Sequence, residues 1–343
     1  MKAVYFSFFA AAITVLFAAS PASAQNVAAK PAAEAGTSPS AQNWTLSRTP
    51  WGDPDFQGYW TNTTDIPIER PKELGSKEFY TPEEFAQKRK AEEAAASKRL
   101  EGRQTEPGTQ ADVHYDLAQY GLDRSQSKIA TSLRTSLVTG PTGRIPPMLP
   151  EAQKRNAERT AYQRAHQWDG PEGRPLAERC ILWPNEGPPM MPVGYNGNLE
   201  IAQSPGYIAI TQEMIHDTRI IPIGTNHPHL PPSVHQWMGD SRGHWEGNTL
   251  VVETTNFTDK TAFRGSTADL KVIERFTRTG PDSIKYEFTV SDPKTWDQPW
   301  SAEIPMSKIA GPIYEYACQE GNYGMANNLS GARAAEKKAA EGK

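Results

Sequence analysis

The chain has only two cysteines, Cys180 and Cys318. Two are too few for a thiolate metal centre, and they lack the CxxC spacing of a dithiol redox site. The signatures of several common enzyme classes are also missing. There is no GxSxG elbow, no P-loop GKS or GKT and no dinucleotide fingerprint behind a strand. Triad hydrolase, nucleotide hydrolase and Rossmann oxidoreductase readings fall with them. The formal charge is −4, from 36 Lys and Arg against 40 Asp and Glu. That balance leaves no electrostatic footprint for nucleic acid or anionic lipid. Beyond the first residues no segment is long and apolar enough to span a bilayer as a helix.

The N-terminus is the one long apolar run. "MKAVYFSFFAAAITVLFAASPASAQ" has a single cation at Lys2, an apolar stretch to Phe17, and Ala22-Ser23-Ala24 before Gln25. A short apolar core followed by small residues reads as a secretory signal covering 1–24. A periplasmic or secreted protein beginning near Gln25 is therefore expected, and loss of Lys2 takes the charge from −4 to −5. In an oxidising compartment Cys180 and Cys318 most simply pair, the alternative being two separate buried thiols. Pairing closes a loop of about 140 residues, for which chain entropy suggests roughly 4–5 kcal/mol.

Residues 25–43 are rich in Ala, Pro and Ser, with almost no large apolar groups to offset ordering, and read as a disordered tether. From 44 to 178 the chain reads as irregular and helical. "TPWGDPDFQGYWTN" suggests an aromatic strand or arm packing on the main body. Thr81, Pro82 and Glu84 have the order of a capping box and start a helix over 80–103. "GPTGRIPPMLP" is proline-fixed extended chain, and a mostly exposed helix covers 150–168.

After Arg179 the pattern turns to β. "NLEIAQ", "YIAITQEMIHDTRIIPI", "HWE", "TLVVETTNF", "LKVIERFTRTG", "SIKYEFTV", "WSAEIPM" and "IYEYACQE" are short β-rich runs. Turn formers at Ser204-Pro205-Gly206, Gly247-Asn248 and Gly280-Pro281-Asp282 reverse the chain between them. Strands in sequence without intervening helices predict a mainly β fold. The expectation is an antiparallel barrel, lipocalin-like barrel or sandwich over 179–333, with the N-terminal helices packed outside and a disordered tail over 334–343.

Polar residues interrupt this pattern at "MIHDTRIIPI". Read as one continuous strand, 207–223 places Ile208, Ile210, Gln212, Met214 and His216 on one face, with Glu213, Asp217 and Arg219 on the other. Downstream, Arg242, His244 and Glu246 alternate outward, and Glu274 shares a face with Leu270, Val272 and Phe276, an unexpected side for a carboxylate. Two readings follow. In the first, His216 is a general acid or base, oriented by Asp217, Glu246 or Glu274, with Arg219 or Arg242 stabilising a developing anion. In the second, Arg219, Arg242, Glu246 and Glu274 form a satisfied ion-pair layer closing one end of the barrel. A metal is a third possibility, because "NHPHLPPSVH" offers His227, His229 and His235. They sit among prolines without an obvious fourth ligand, however, and there is no HExxH, so no metal or other cofactor is expected.

"TPWGDPDFQGYWTN", "RTSLVTGPTGRIPP", "RCILWPNEGPP", "EMIHDTRIIPI", "GDSRGHWEGNTLVVETTNF" and "YEYACQEGNYGM" together resemble a large, essentially uncharacterised family of exported bacterial proteins. The resemblance covers most of the chain after the leader and brings no established activity. It implies that Arg179, Cys180, Glu213, His216, Arg219, Ser241, Arg242, Trp245, Glu246, Cys318 and Glu320 lie within shared motifs. His227, His229 and His244 are tied to them less firmly.

The expected function is that of a metal-independent acid/base enzyme of lyase, hydratase or isomerase type acting on a small, aromatic or carboxylated molecule. His216, Arg219, Arg242, Glu246 and Glu274 would be its catalytic set, and Trp245, Glu213, Asp217 and Tyr316 its substrate contacts. The rival is a non-catalytic barrel that binds or carries an apolar ligand, which needs only an apolar cavity and a few orienting polar groups.

Overall fold

Alternation of side chains builds the sheet. In "SIKYEFTVS" and "WSAEIPMSK" every second residue is buried, so each strand turns Ile284, Tyr286, Phe288 and Val290, or Trp300, Ala302, Ile304 and Met306, to one side. The computed structural model describes residues 44–101, 131–184, 186–194 and 196–342. It contains nine strands: β1 (Gly58–Thr61), β2 (Asn198–Ser204), β3 (Tyr207–Gln212), β4 (Thr218–Pro222), β5 (Asp240–Glu246), β6 (Thr249–Thr255), β7 (Lys271–Gly280), β8 (Ser283–Ser291) and β9 (Trp300–Lys308). They form one antiparallel sheet in the order β4-β3-β2-β1-β9-β8-β7-β6-β5. The fold is thus mainly β, a nearly closed barrel. The signal and tether expected over 1–43 lie outside the described residues.

Pairing of β1 with both β2 and β9 joins the ends of the meander and leaves the break between β4 and β5. With nine antiparallel strands the two edges run in the same direction, so this seam is parallel. It is held by the bridge between Ile223 and Gly243, with Gly224 N–H donating to Gly243 O at 2.8 Å. Gly243 lets the two edges approach closely, because a Cβ would stand 2.5 Å from Ile223 Cδ1 and 3.1 Å from Ile221 Cγ2 and the Ile223 side chain would have to shift.

The hairpins fall where the turn formers stand, at Pro205-Gly206, Gly247-Asn248 and between Gly280 and Ser283. All three lie at one mouth, termed the lower mouth. The upper mouth is the end at which β2, β4, β5, β7 and β9 begin. The interior is filled by side chains, among them Trp60, Phe276, Tyr286, Phe288, Leu199 and Ile210.

Three helices stand outside the sheet: α1 (Pro82–Glu101), α2 (Pro150–His166) and α3 (Tyr323–Glu341). The capping box at α1 forms, with Glu84 N–H donating to Thr81 Oγ1 and Thr81 N–H to Glu84 Oε2. Several expectations need correcting. The sheet recruits β1 from the N-terminal region, residues 313–320 are not a strand, and α3 runs through the stretch expected to be a disordered tail. Cys180 and Cys318 are bonded, which ties the chain ahead of β2 to the segment after β9.

Candidate functional site

The strand expected over 207–223 is not continuous. β3 ends at Gln212 and Glu213 takes helical angles. Ile215 and His216 then lie in the left-handed region at φ 60° and 48°, and β4 starts afresh at Thr218 with its amide capped by Asp217 Oδ1. The break resets parity. Arg219 and Ile221 point into the barrel alongside Ile208 and Ile210, the reverse of a continuous strand, and His216 is thrown to the outside.

Inside, Arg219 meets Glu274. Two guanidinium bonds of 2.5 and 3.0 Å join them at 8 % and 0 % exposure. Tyr286 Oη donates to Glu274 Oε1 at 2.8 Å and accepts the Met190 N–H at 2.9 Å. Burial opposes the charge on Arg219, but the adjacent Glu274 carboxylate outweighs it and holds the guanidinium pKa above its ordinary value. Burial first and Glu274 second push the Tyr286 phenol well above its usual range. The cluster is paired and dry, which suits a structural ion pair.

The other expected residues are dispersed. His216 Nδ1 donates to Tyr316 O at 2.9 Å on the exposed surface. Glu213 is buried and accepts from Asn196 and Asn198 at 3.0 and 2.6 Å. Arg242 pairs with Asp240 at 2.6 Å outside the barrel. Glu246 lies toward the lower mouth, bonded to Arg275 at 2.7 Å and His244 at 3.3 Å, and Arg275 draws its carboxyl pKa down. Trp245 packs on Phe56. Only Arg219 and Glu274 of the expected catalytic set come together, so the layer of four charged groups is corrected to this one pair. His229 bonds Asp240 at 2.7 Å and His235 bonds Phe257 O. Among the described residues no group of three or more His, Cys, Asp or Glu is placed to hold a metal.

The upper mouth is stoppered by residues 186–191, whose Met190 and Met191 are buried in the core. Beside this loop lies a cleft of about 240 Å³ walled by Leu176, Leu182, Trp183, Trp237, Phe257 and Phe263, with Gln163 and Thr261 as polar lining. Ala262 and Arg264 flank Phe263 in left-handed conformations, at φ 37° and 48°. Strain of this kind clusters at ligand clamps.

Glu186, which sequence reasoning missed, lies in the same loop. It is 4 % exposed, and burial first, with Asp217's charge adding, raises its carboxyl pKa to about 8. Its signal in the sequence is a lone carboxylate in "WPNEGPPMM", a run otherwise fit only for a buried turn. No protein-family model matches the chain, and no curated protein matches it either.

Proposed function

We propose that this is an exported protein that binds a small, flat, apolar molecule, and that the binding site is the cleft above the upper mouth. The observation that carries the reading is the cleft itself, an aromatic-walled concavity beside a barrel interior already occupied by Trp60, Phe276, Tyr286 and Phe288. At about 240 Å³ the cleft exceeds the ~150 Å³ that suffices for benzene, so a one- or two-ring molecule fits. Burying about 150–200 Å² of ligand at ~25 cal/mol/Å² contributes about 4–5 kcal/mol, against which the entropy lost on association counts, so apolar contact alone gives only weak binding. Hydrogen bonds to Gln163 and Thr261 would sharpen it. The Cys180–Cys318 bond and the apolar leader support export to an oxidising compartment.

The acid/base reading has weaker support. His216 is engaged at the surface by Tyr316 O, and Arg219 spends its fork on Glu274 rather than facing a substrate. The test is calorimetric titration of indole, naphthol and benzoate into the protein and into Trp237→Ala. That side chain is 37 % exposed, so its loss spares the core. At least one probe should bind, and its affinity should drop about tenfold in the variant. Binding unchanged by the substitution, or absent for every probe, overturns the reading.

A further inference from the structure

Residues 183–184 and 186–191 have two roles. Trp183, Pro184, Gly187 and Pro188 form a wall of the cleft, and Met190 and Met191 stopper the barrel. Glu186 lies within the wall segment, directly ahead of Gly187. Its Oε2 accepts the Trp183 N–H at 2.9 Å and its carbonyl accepts Gln212 Nε2 at 3.2 Å, whereas Oε1 is buried with no hydrogen-bond partner. The loop itself offers the carboxyl one backbone N–H, the turn ahead of β4 faces it with the carboxylate of Asp217, and Gln212 of β3 reaches only the main-chain carbonyl. No cation compensates it among the groups that act on it. An ionised Glu186 would be a second negative charge near Asp217 in a dry site, a costly arrangement.

We infer that Glu186 is a proton-operated latch. With its carboxyl neutral the loop stays folded over the upper mouth and the cleft keeps its wall, and loss of the proton drives the loop outward, dismantling wall and stopper together. A neutral carboxyl tolerates the apolar surroundings. An ionised one regains hydration only by leaving.

The sign follows from the two states. Closed, the carboxyl titrates at about 8, and open, it returns to its ordinary 4.5. Between those values the closed loop holds a proton that the open loop has lost, so opening becomes up to about tenfold more favourable per pH unit and levels off above about pH 8.

The test needs no ligand, so it can fail or succeed independently of the binding proposal. Hydrogen-exchange protection factors, which divide out the intrinsic pH dependence of exchange, are measured for the Trp183 and Met190 amides of the whole protein at pH 5.5 and 7.5. Protection in the native chain should fall by up to about 100-fold, with β7–β8 amides unchanged. In Glu186→Gln the two pH values should agree. Asp217→Asn, which keeps an oxygen for the Thr218 amide, gives a second variant should the first not fold, and it should shrink the fall. Equal protection at both pH values in the native chain, a slope that persists in Glu186→Gln, or an unaltered slope in Asp217→Asn overturns the latch.

Discussion

At the lower mouth Arg278 donates to the carbonyls of Asp55, Gly280 and Pro281 and lies over the rings of Trp44 and Trp60. Beside it Arg48 reaches Asn248, and the Phe56 amide reaches Gln203. At the upper mouth Met190 and Met191 close the barrel, and in the same loop, beside the cleft, Glu186 holds a buried carboxyl oxygen that lacks a partner. One end is sealed by hydrogen bonds made to carbonyl groups, which do not titrate. The other is sealed by apolar burial around an acid. The acceptors of the first seal cannot titrate and the acid in the second can, so the proposed latch and the proposed binding cleft share one end.

Three substitutions break or sharpen this contrast. Arg219→Ala should have the largest effect, about 3–5 kcal/mol in chemical denaturation, because it strands the Glu274 carboxylate in the interior below the stopper. Replacing both partners with methionine should recover most of that loss. A cost below about 1 kcal/mol for the single change would show that water already reaches the pair. Arg278→Ala should cost about 2 kcal/mol through lost carbonyl bonds and ring contact, equally at pH 5.5 and 7.5. If that cost varies with pH, the lower seal is not the inert one. His216→Ala should cost about 0.5 kcal/mol or less by the same measurement, since its ring is exposed and bonded to one carbonyl. A large loss there would move the structural weight of the upper mouth from Glu274 to the surface.

Much of the barrel was legible because strands such as "SIKYEFTV" alternate cleanly and the Gly-containing turns stand where the chain must reverse. The inward position of Glu274 was legible for the same reason. The break at 213–217 was not. Left-handed Ile215 is a β-branched residue in a conformation its side chain disfavours, and only tertiary packing explains it. Pairing of β1 with β9 joins residues almost 250 apart, beyond any local pattern. Tyr286 read as an ordinary core aromatic, and its partnership with Glu274 depends on a diagonal across β7 and β8. Glu186 lies on no periodic element, so parity could not place it.

The Cys180–Cys318 bond has a mechanical consequence. It spans 138 positions and encloses β2 to β9, leaving β1 as the one strand among the described residues outside the covalent ring. Force applied along the chain from its two ends therefore bypasses eight strands. It peels β1 from β2 and β9 and then meets the ring, which must be reduced before a further ~450–500 Å of chain can be drawn out. Until it is reduced the ring is thus a knot of fixed length, and of the nine described strands the one that can be drawn out is the shortest, Gly58–Thr61.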